Sequence, residues 1–291
     1  MSEFTLTTSD GYPLAVSLFK PEVENTNGKL LLINSATGVK QYVYYSFAKY
    51  LMAKGYTVIT YDYRGIASSK PTKMKGFKAS MRLWGTEDYK TLTNYIKTHF
   101  PHYEKYIMGH SVGALITGMN PDTNLFKKII FIGAQDAYVK HLDSKTRWAA
   151  YLGFGILQPL LTEMLGYFPA SILGLGESLP KGVAYDWRRL ILNKKSTLKL
   201  LEMSYDYTEH LHQDTLVLYA DDDNWLTEKG VKSLMNTYYN LKPEYHIIKS
   251  ELSIIGKTKN TFFSNEMSKK NKALMITLEP IFYLYFKFRL N

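Results

Sequence analysis

The stretch Gly109-His110-Ser111-Val112-Gly113 decides the fold. It follows a short apolar run, Tyr106-Ile107-Met108, and precedes a small, helix-compatible run, Ala114-Leu115-Ile116-Thr117-Gly118. A strand, then G-x-S-x-G, then a helix describes a very tight turn with a serine at its apex. The residues two positions either side must lack a side chain, because one would clash in so sharp a turn. The turn pushes the hydroxyl into the open and points it at the positive end of the following helix. A glycine-flanked structural turn is the plainer reading of the same five residues. The strand–helix context favours a nucleophile.

Working outward, strand and helix patterns alternate around this turn. Phe4–Thr7 and Leu14–Phe19 read as strands joined by the turn Ser9-Asp10-Gly11. Asn25–Gly28 makes a second turn, and Leu30-Leu31-Leu32-Ile33 suits a strand covered on both faces. Val43, Phe47, Tyr50 and Leu51 recur at helical spacing, with Gly55 as a C-cap. Thr57–Tyr61 and Ile129–Ile132 are further buried-type strands. Leu92, Tyr95, Ile96 and Phe100 mark a helix stopped by Pro101. This alternation predicts a mostly parallel sheet with helices on both faces.

The alternation lapses over residues 138–212, where no clear strand is legible. Trp148–Leu175 is very apolar, but Gln158, Pro159, Glu163, Pro169 and several glycines argue against a membrane span. A helical cap with an apolar underside is expected there. Strand and helix resume with Leu216–Tyr219, a helix carrying Val231, Leu234, Met235 and Tyr238, and a last strand at Tyr245–Ile248. Ala273–Leu290 is apolar, holds Pro280, and reads as a broken final helix or an interfacial segment. The expected division is a core of 1–137 and 213–291 with a cap of 138–212.

The 291 residues suffice for one large domain with an insertion, and 45% are apolar. There is no cysteine, which excludes disulfides, thiolate metal sites and a thiol nucleophile. Met1-Ser2-Glu3-Phe4 has neither the basic nor the apolar region of a signal peptide, so the cytoplasm is the expected compartment. The net charge of +10 raises the question of nucleic acid or an anionic membrane. Its lysines are scattered, densest between Lys257 and Lys272, and no nucleic-acid-binding motif accompanies them. A lysine-rich solvated surface with weak membrane-surface association is the expectation. No cofactor or metal is implied.

A serine hydroxyl needs a base, and the base needs an orienting acid. Ala220-Asp221-Asp222-Asp223-Asn224-Trp225 follows the strand at 216–219, and Thr227 already suits the N-cap of the next helix. An oxyanion hole needs two backbone N–H groups. Val112, next to the serine, supplies one by position. Ala36, in the small polar loop Asn34-Ser35-Ala36-Thr37-Gly38, supplies the other.

With these residues in hand, the chain resembles the α/β-hydrolase superfamily. More narrowly, it resembles bacterial predicted hydrolases of the serine aminopeptidase S33 and monoacylglycerol lipase-like group. The matching segments are LLINSATGVKQ (31–41), YDYRGIASS (61–69), GHSVG (109–113), LGYFPASILGLGESLPKGVAYDW (165–187) and ADDDNW (220–225). The resemblance implies ester hydrolysis through an acyl-serine on Ser111, with a small-molecule ester or acyl substrate. In the superfamily the acid stands four residues before the proline of a D-x-x-x-P stretch. Thr227 holds that proline's place, which picks out Asp223.

The resemblance also implies a histidine after the last strand, in an I-G-H segment before two phenylalanines. This chain reads Ile255-Gly256-Lys257-Thr258-Lys259, with Phe262-Phe263 following. Counted from the glycine, the place holds Lys257; counted from the aromatic pair, it holds Lys259. Three readings stand. The base is lost, and the chain is slow or is an inactive binding protein for a small apolar ligand or partner. His141 substitutes from the cap side. Or a desolvated lysine acts, although Asp223 beside it would raise rather than lower its pKa.

Overall fold

The computed structural model describes residues 1–221, 223 and 225–248. The expected final helix at 273–290, the lysine patch at 257–272, Lys257, Lys259 and Asp222 lie outside the described residues.

Eight strands form the main sheet: β1 (Ser2–Thr7), β2 (Pro13–Phe19), β3 (Lys29–Asn34), β4 (Thr57–Tyr61), β5 (Glu104–His110), β6 (Lys128–Ile132), β9 (Asp214–Ala220) and β10 (Lys242–Ile248). Their order is β1-β2-β4-β3-β5-β6-β9-β10. The β1–β2 hairpin pairs antiparallel with Phe4 opposite Val16, and β2 also runs antiparallel to β4. Every other pairing is parallel. The apolar run of β3 explains itself here. Leu30 and Leu32 enter one buried cluster, and Leu31 and Ile33 enter the other, on the opposite face. A strand with helices on both sides reads as continuous rather than alternating.

Helix α1 (Tyr45–Ala53) buries Phe47, Ala48 and Leu51 against the Leu31–Ile33 side. The chain leaves it through Gly55, at φ 88°, a left-handed value that glycine adopts without strain. Helix α2 spans 81–99 and widens into a π-helical stretch at Trp84–Tyr89. Gly85 lies in that stretch, and a Cβ there would come within 2.7 Å of the Met119 side chain. Helix α3 (Val112–Leu115) is the short helix after the serine turn. Thr227 caps helix α7 (Glu228–Thr237), accepting from the Gly230 amide at 3.1 Å, as its sequence position predicts.

Between β6 and β9 the chain inserts three helices: α4 (144–165), α5 (Lys181–Leu192) and α6 (Ser196–Glu202). A small antiparallel ribbon, β7 (Tyr167–Phe168) with β8 (Leu179–Pro180), lies within the insert. The sequence shows no strand there because two residues are too few to set an alternation. Phe168, Leu179, Val183, Leu190, Leu200 and Leu201 of the insert join the main buried cluster. The inward column of α4 is Thr146, Ala150, Phe154, Gln158 and Thr162, a polar and apolar mixture. The more apolar face of α4 is turned outward. No helix among the described residues is long and apolar enough to cross a membrane.

Candidate active site

Ser111 sits where β5 ends and α3 begins, with φ 52° and ψ −118°. A non-glycine residue pays on the order of 1–3 kcal/mol for such a backbone, so its surroundings must enforce it. They do. The Ser111 amide donates to the Ile132 carbonyl at 2.9 Å, and its own carbonyl accepts from Ala114 at 2.9 Å. A Cβ on Gly109 would meet the Ala114 nitrogen at 2.5 Å, and one on Gly113 would meet the Asn34 carbonyl oxygen at 2.2 Å. Both glycines of the motif are therefore demanded by contact. Asn34 completes the brace: its Oδ1 accepts from Tyr61 at 2.8 Å and its Nδ2 donates to the Gly113 carbonyl at 3.4 Å.

The Val112 amide is the first of α3, and no described residue accepts its hydrogen bond. An open N–H at a helix start is suited to receive an anion. The Ala36 amide is differently placed. It donates to Tyr44 Oη at 3.0 Å. Next to it, the Thr37 amide has no acceptor among the described residues. Nothing in the sequence around Tyr44 singles that residue out, because it stands in a single helical turn before α1 and looks like core. It is core, fully buried, and burial drives its pKa above the ordinary tyrosine value.

His110 points away from the serine, under the loop 34–38. Its Nδ1 lies 2.9 Å from Tyr44 Oη. Burial lowers its pKa to about 4, so it is neutral near pH 7. All seven histidines fall within the described residues, and none hydrogen bonds to Ser111. His141 is tied through Nδ1 to the Asp136 carbonyl at 3.1 Å. It lines an outer cleft with Glu228, Lys229, Lys232, Ser233 and Asn236 of α7. His210 and His212 precede β9, at the opposite edge of the sheet from the serine, and His246 lies within β10.

Asp223 occupies the loop after β9, two strands from β5 and on the same carboxyl edge of the parallel sheet. It is exposed, and its Oδ1 accepts from the Trp225 amide at 2.9 Å. Gln135, just beyond β6, fixes this loop. Its side-chain amide donates to the Trp225 carbonyl and its oxygen accepts from the Thr227 amide at 3.0 Å. Gln135 carries no motif of its own, which is why sequence reasoning passes over it.

The insert reaches the same edge. The Glu177 amide donates to the Gly38 carbonyl at 2.8 Å, and Lys40 and Lys70 both pair with the Glu177 carboxylate. Beneath, Arg64 binds Asp88 at 2.6 Å and Asp10 at 2.6 Å, and its carbonyl accepts from the Trp84 indole at 3.1 Å.

Residues 29–150 match the family model described as serine aminopeptidase, S33. No curated protein matches the chain by sequence. Solved structures do resemble it. A soluble variant of monoglyceride lipase from Saccharomyces cerevisiae, in complex with a substrate analog, superposes with a TM-score of 0.60 at 14% identity, covering 94% of this chain and 96% of that one. Rv0554 from Mycobacterium tuberculosis gives 0.55 at 14% identity, covering 85% and 90%. The esterase domain of a Rhodothermus marinus protein gives 0.50 at 15% identity, covering 96% and 98%. At such identities these likenesses speak for the fold. With the sheet order, the serine turn and the matched segment in agreement, the chain has the α/β-hydrolase fold and carries the serine aminopeptidase S33 pattern over residues 29–150.

Proposed function

We propose that the protein hydrolyses carboxylic esters with apolar acyl or alkyl groups through an acyl-Ser111 intermediate, at a rate limited by the missing histidine. The observation that carries this reading is the strained, fully braced backbone of Ser111 beside the open Val112 amide. Strain of this kind is kept where a side chain must be aimed. The Ser111 oxygen attacks the ester carbonyl as its proton passes to the base, and the Val112 amide meets the developing oxyanion. The ester C–O bond then breaks, the alcohol leaves with that proton, and water cleaves the acyl-serine to the acid. The loop 34–38 supplies the second donor. Ala36 does so by giving up Tyr44 Oη, and the Thr37 amide stands ready one residue on.

Asp223 orients the base. Among candidate bases, His141 is held by Asp136 on the outer cleft, which leaves Lys257 or Lys259 at the family's histidine place. A triad lacking one member still outpaces water by roughly 10³–10⁴-fold through its oxyanion hole and binding. The insert at 138–212 acts as the cap that shields the acyl chain. The absence of any histidine at Ser111 favours a second reading, an inactive hydrolase-fold protein that binds a small apolar ligand or partner.

A fluorophosphonate probe separates the two. Labelling of the wild type, lost in Ser111→Ala, supports the hydrolase; no labelling of folded wild type rejects it. Lys257→His or Lys259→His then raises ester turnover sharply if the lysine place is the base position. An unchanged rate in both assigns the base elsewhere.

A further inference from the structure

Helix α4 carries two columns at four-residue spacing on opposite sides. The inward one, Thr146 to Thr162, is buried throughout. The outward one is Trp148, Leu152, Ile156, Leu160 and Met164, each between 55% and 69% exposed. In an uninterrupted α-helix a four-residue step overshoots a turn by about 40°, and five such positions would wind around the helix. The wider π turn at Gly153–Leu157 undershoots and returns the column to line. The result is one straight apolar ridge. Leu157 and Leu165 widen it, and Cβ atoms at Gly153 and Gly155 would meet nothing. From Trp148 to Thr162 no side chain is charged.

The ridge has a cationic neighbour. Lys75 lies against Gly166, the left-handed residue that ends α4: a Cβ on that glycine would meet Lys75 Cγ at 2.7 Å. Lys75 belongs to the loop 70–78, which also holds Lys70, Lys73 and Lys78, and no acidic residue occurs between Asp62 and Glu87. Lys70 is engaged by Glu177. Lys73, Lys75 and Lys78 are exposed and pair with no carboxylate among the described residues.

We propose that this ridge and the adjoining lysine loop form a docking surface for an anionic lipid membrane, with α4 lying in the plane of the interface. An apolar helix face with a tryptophan, set beside lysines, is the chemistry of interfacial binding. The ridge inserts among the acyl chains while Lys73, Lys75 and Lys78 meet the phosphates. A second copy would bring the same net positive charge against it.

The test is flotation of the full-length protein with phosphatidylcholine vesicles, with and without phosphatidylglycerol. Wild type binds the anionic vesicles, and rising salt weakens that binding. The variant Leu152→Ser/Ile156→Ser/Leu160→Ser, whose three side chains are exposed, keeps its circular dichroism and loses at least about ten-fold in partitioning. The variant Lys73→Gln/Lys75→Gln/Lys78→Gln loses the preference for phosphatidylglycerol. Tryptophan emission shifts blue on binding, and Trp148→Phe abolishes most of the shift. The proposal is overturned if folded wild type does not float, or if the serine variant binds as well as wild type. Trp148 shielded from iodide without vesicles also overturns it: a two-chain mass in light scattering then assigns the ridge to a second copy, and a one-chain mass to a segment of the same chain.

Discussion

Tyr44 Oη lies 2.9 Å from His110 Nδ1, which binds the residue before Ser111 to the turn that precedes α1. The Ala36 amide can only donate, and it donates to the same phenol oxygen. The phenol oxygen is thus shared between the loop amide and the imidazole, and the His110 tautomer sets which way the second bond runs. All three groups are buried: Ala36, Tyr44 and His110 are each less than a tenth exposed.

Tyr44→Phe leaves the Ala36 amide and His110 Nδ1 both without a partner. Stranding a buried polar group costs about 1–3 kcal/mol. Urea denaturation should show a loss of that order with the slope unchanged.

His110 gives the fold an acid limit. Its pKa is about 4 in the folded chain, because burial disfavours the cation, against about 6.5 when exposed. Below about 6.5 the unfolded chain binds a proton that the folded chain refuses. The stabilisation is complete above that value and is lost as pH falls towards 4, by up to roughly 3 kcal/mol. Thermal melts from pH 7.5 to 4.5 should show a steep fall, shallower in His110→Gln.

Ser111→Gly removes the side chain from a backbone at φ 52° and ψ −118°, which glycine accepts. The variant should gain about 1 kcal/mol in stability, while losing any reaction with a serine-directed probe. A lower melting temperature than wild type would show that the turn is not strained.

The two carboxylates on Arg64 should differ in worth. Asp88 is fully buried, whereas the Asp10 side chain is 45% exposed. Asp88→Asn leaves a buried guanidinium short of its inner partner and should cost about 3–5 kcal/mol. Asp10→Asn, screened by water, should cost about 1 kcal/mol or less. Chemical denaturation of the two variants side by side checks the order.

Much of this architecture is legible in the sequence, for reasons that differ by element. Leu30–Ile33, Thr57–Tyr61 and Ile129–Ile132 show as strands because both faces are covered, so every position is apolar. The two glycines of the serine turn show because contact at 2.2–2.5 Å forbids any side chain. Less visible is whatever depends on partners distant in sequence. Asp10 reads as a turn residue and also closes an ion pair on Arg64. Tyr44 and Gln135 look like ordinary core and loop, and only the fold brings them to Ala36 and to the Asp223 loop. The π-helical stretches in α2 and α4 leave no periodic trace, since five or six residues are too few to set a period.

The brace around Ser111 consists of Ile132, Asn34, Ala114 and two glycines, and none of these takes part in proton transfer. The aim of the hydroxyl is thus a property of the scaffold. The hydroxyl is held at its angle by these backbone and side-chain contacts alone, whatever group lies opposite it. The serine turn is in this sense a socket: it presents a hydroxyl at a set angle and leaves the chemistry to whatever is fitted opposite.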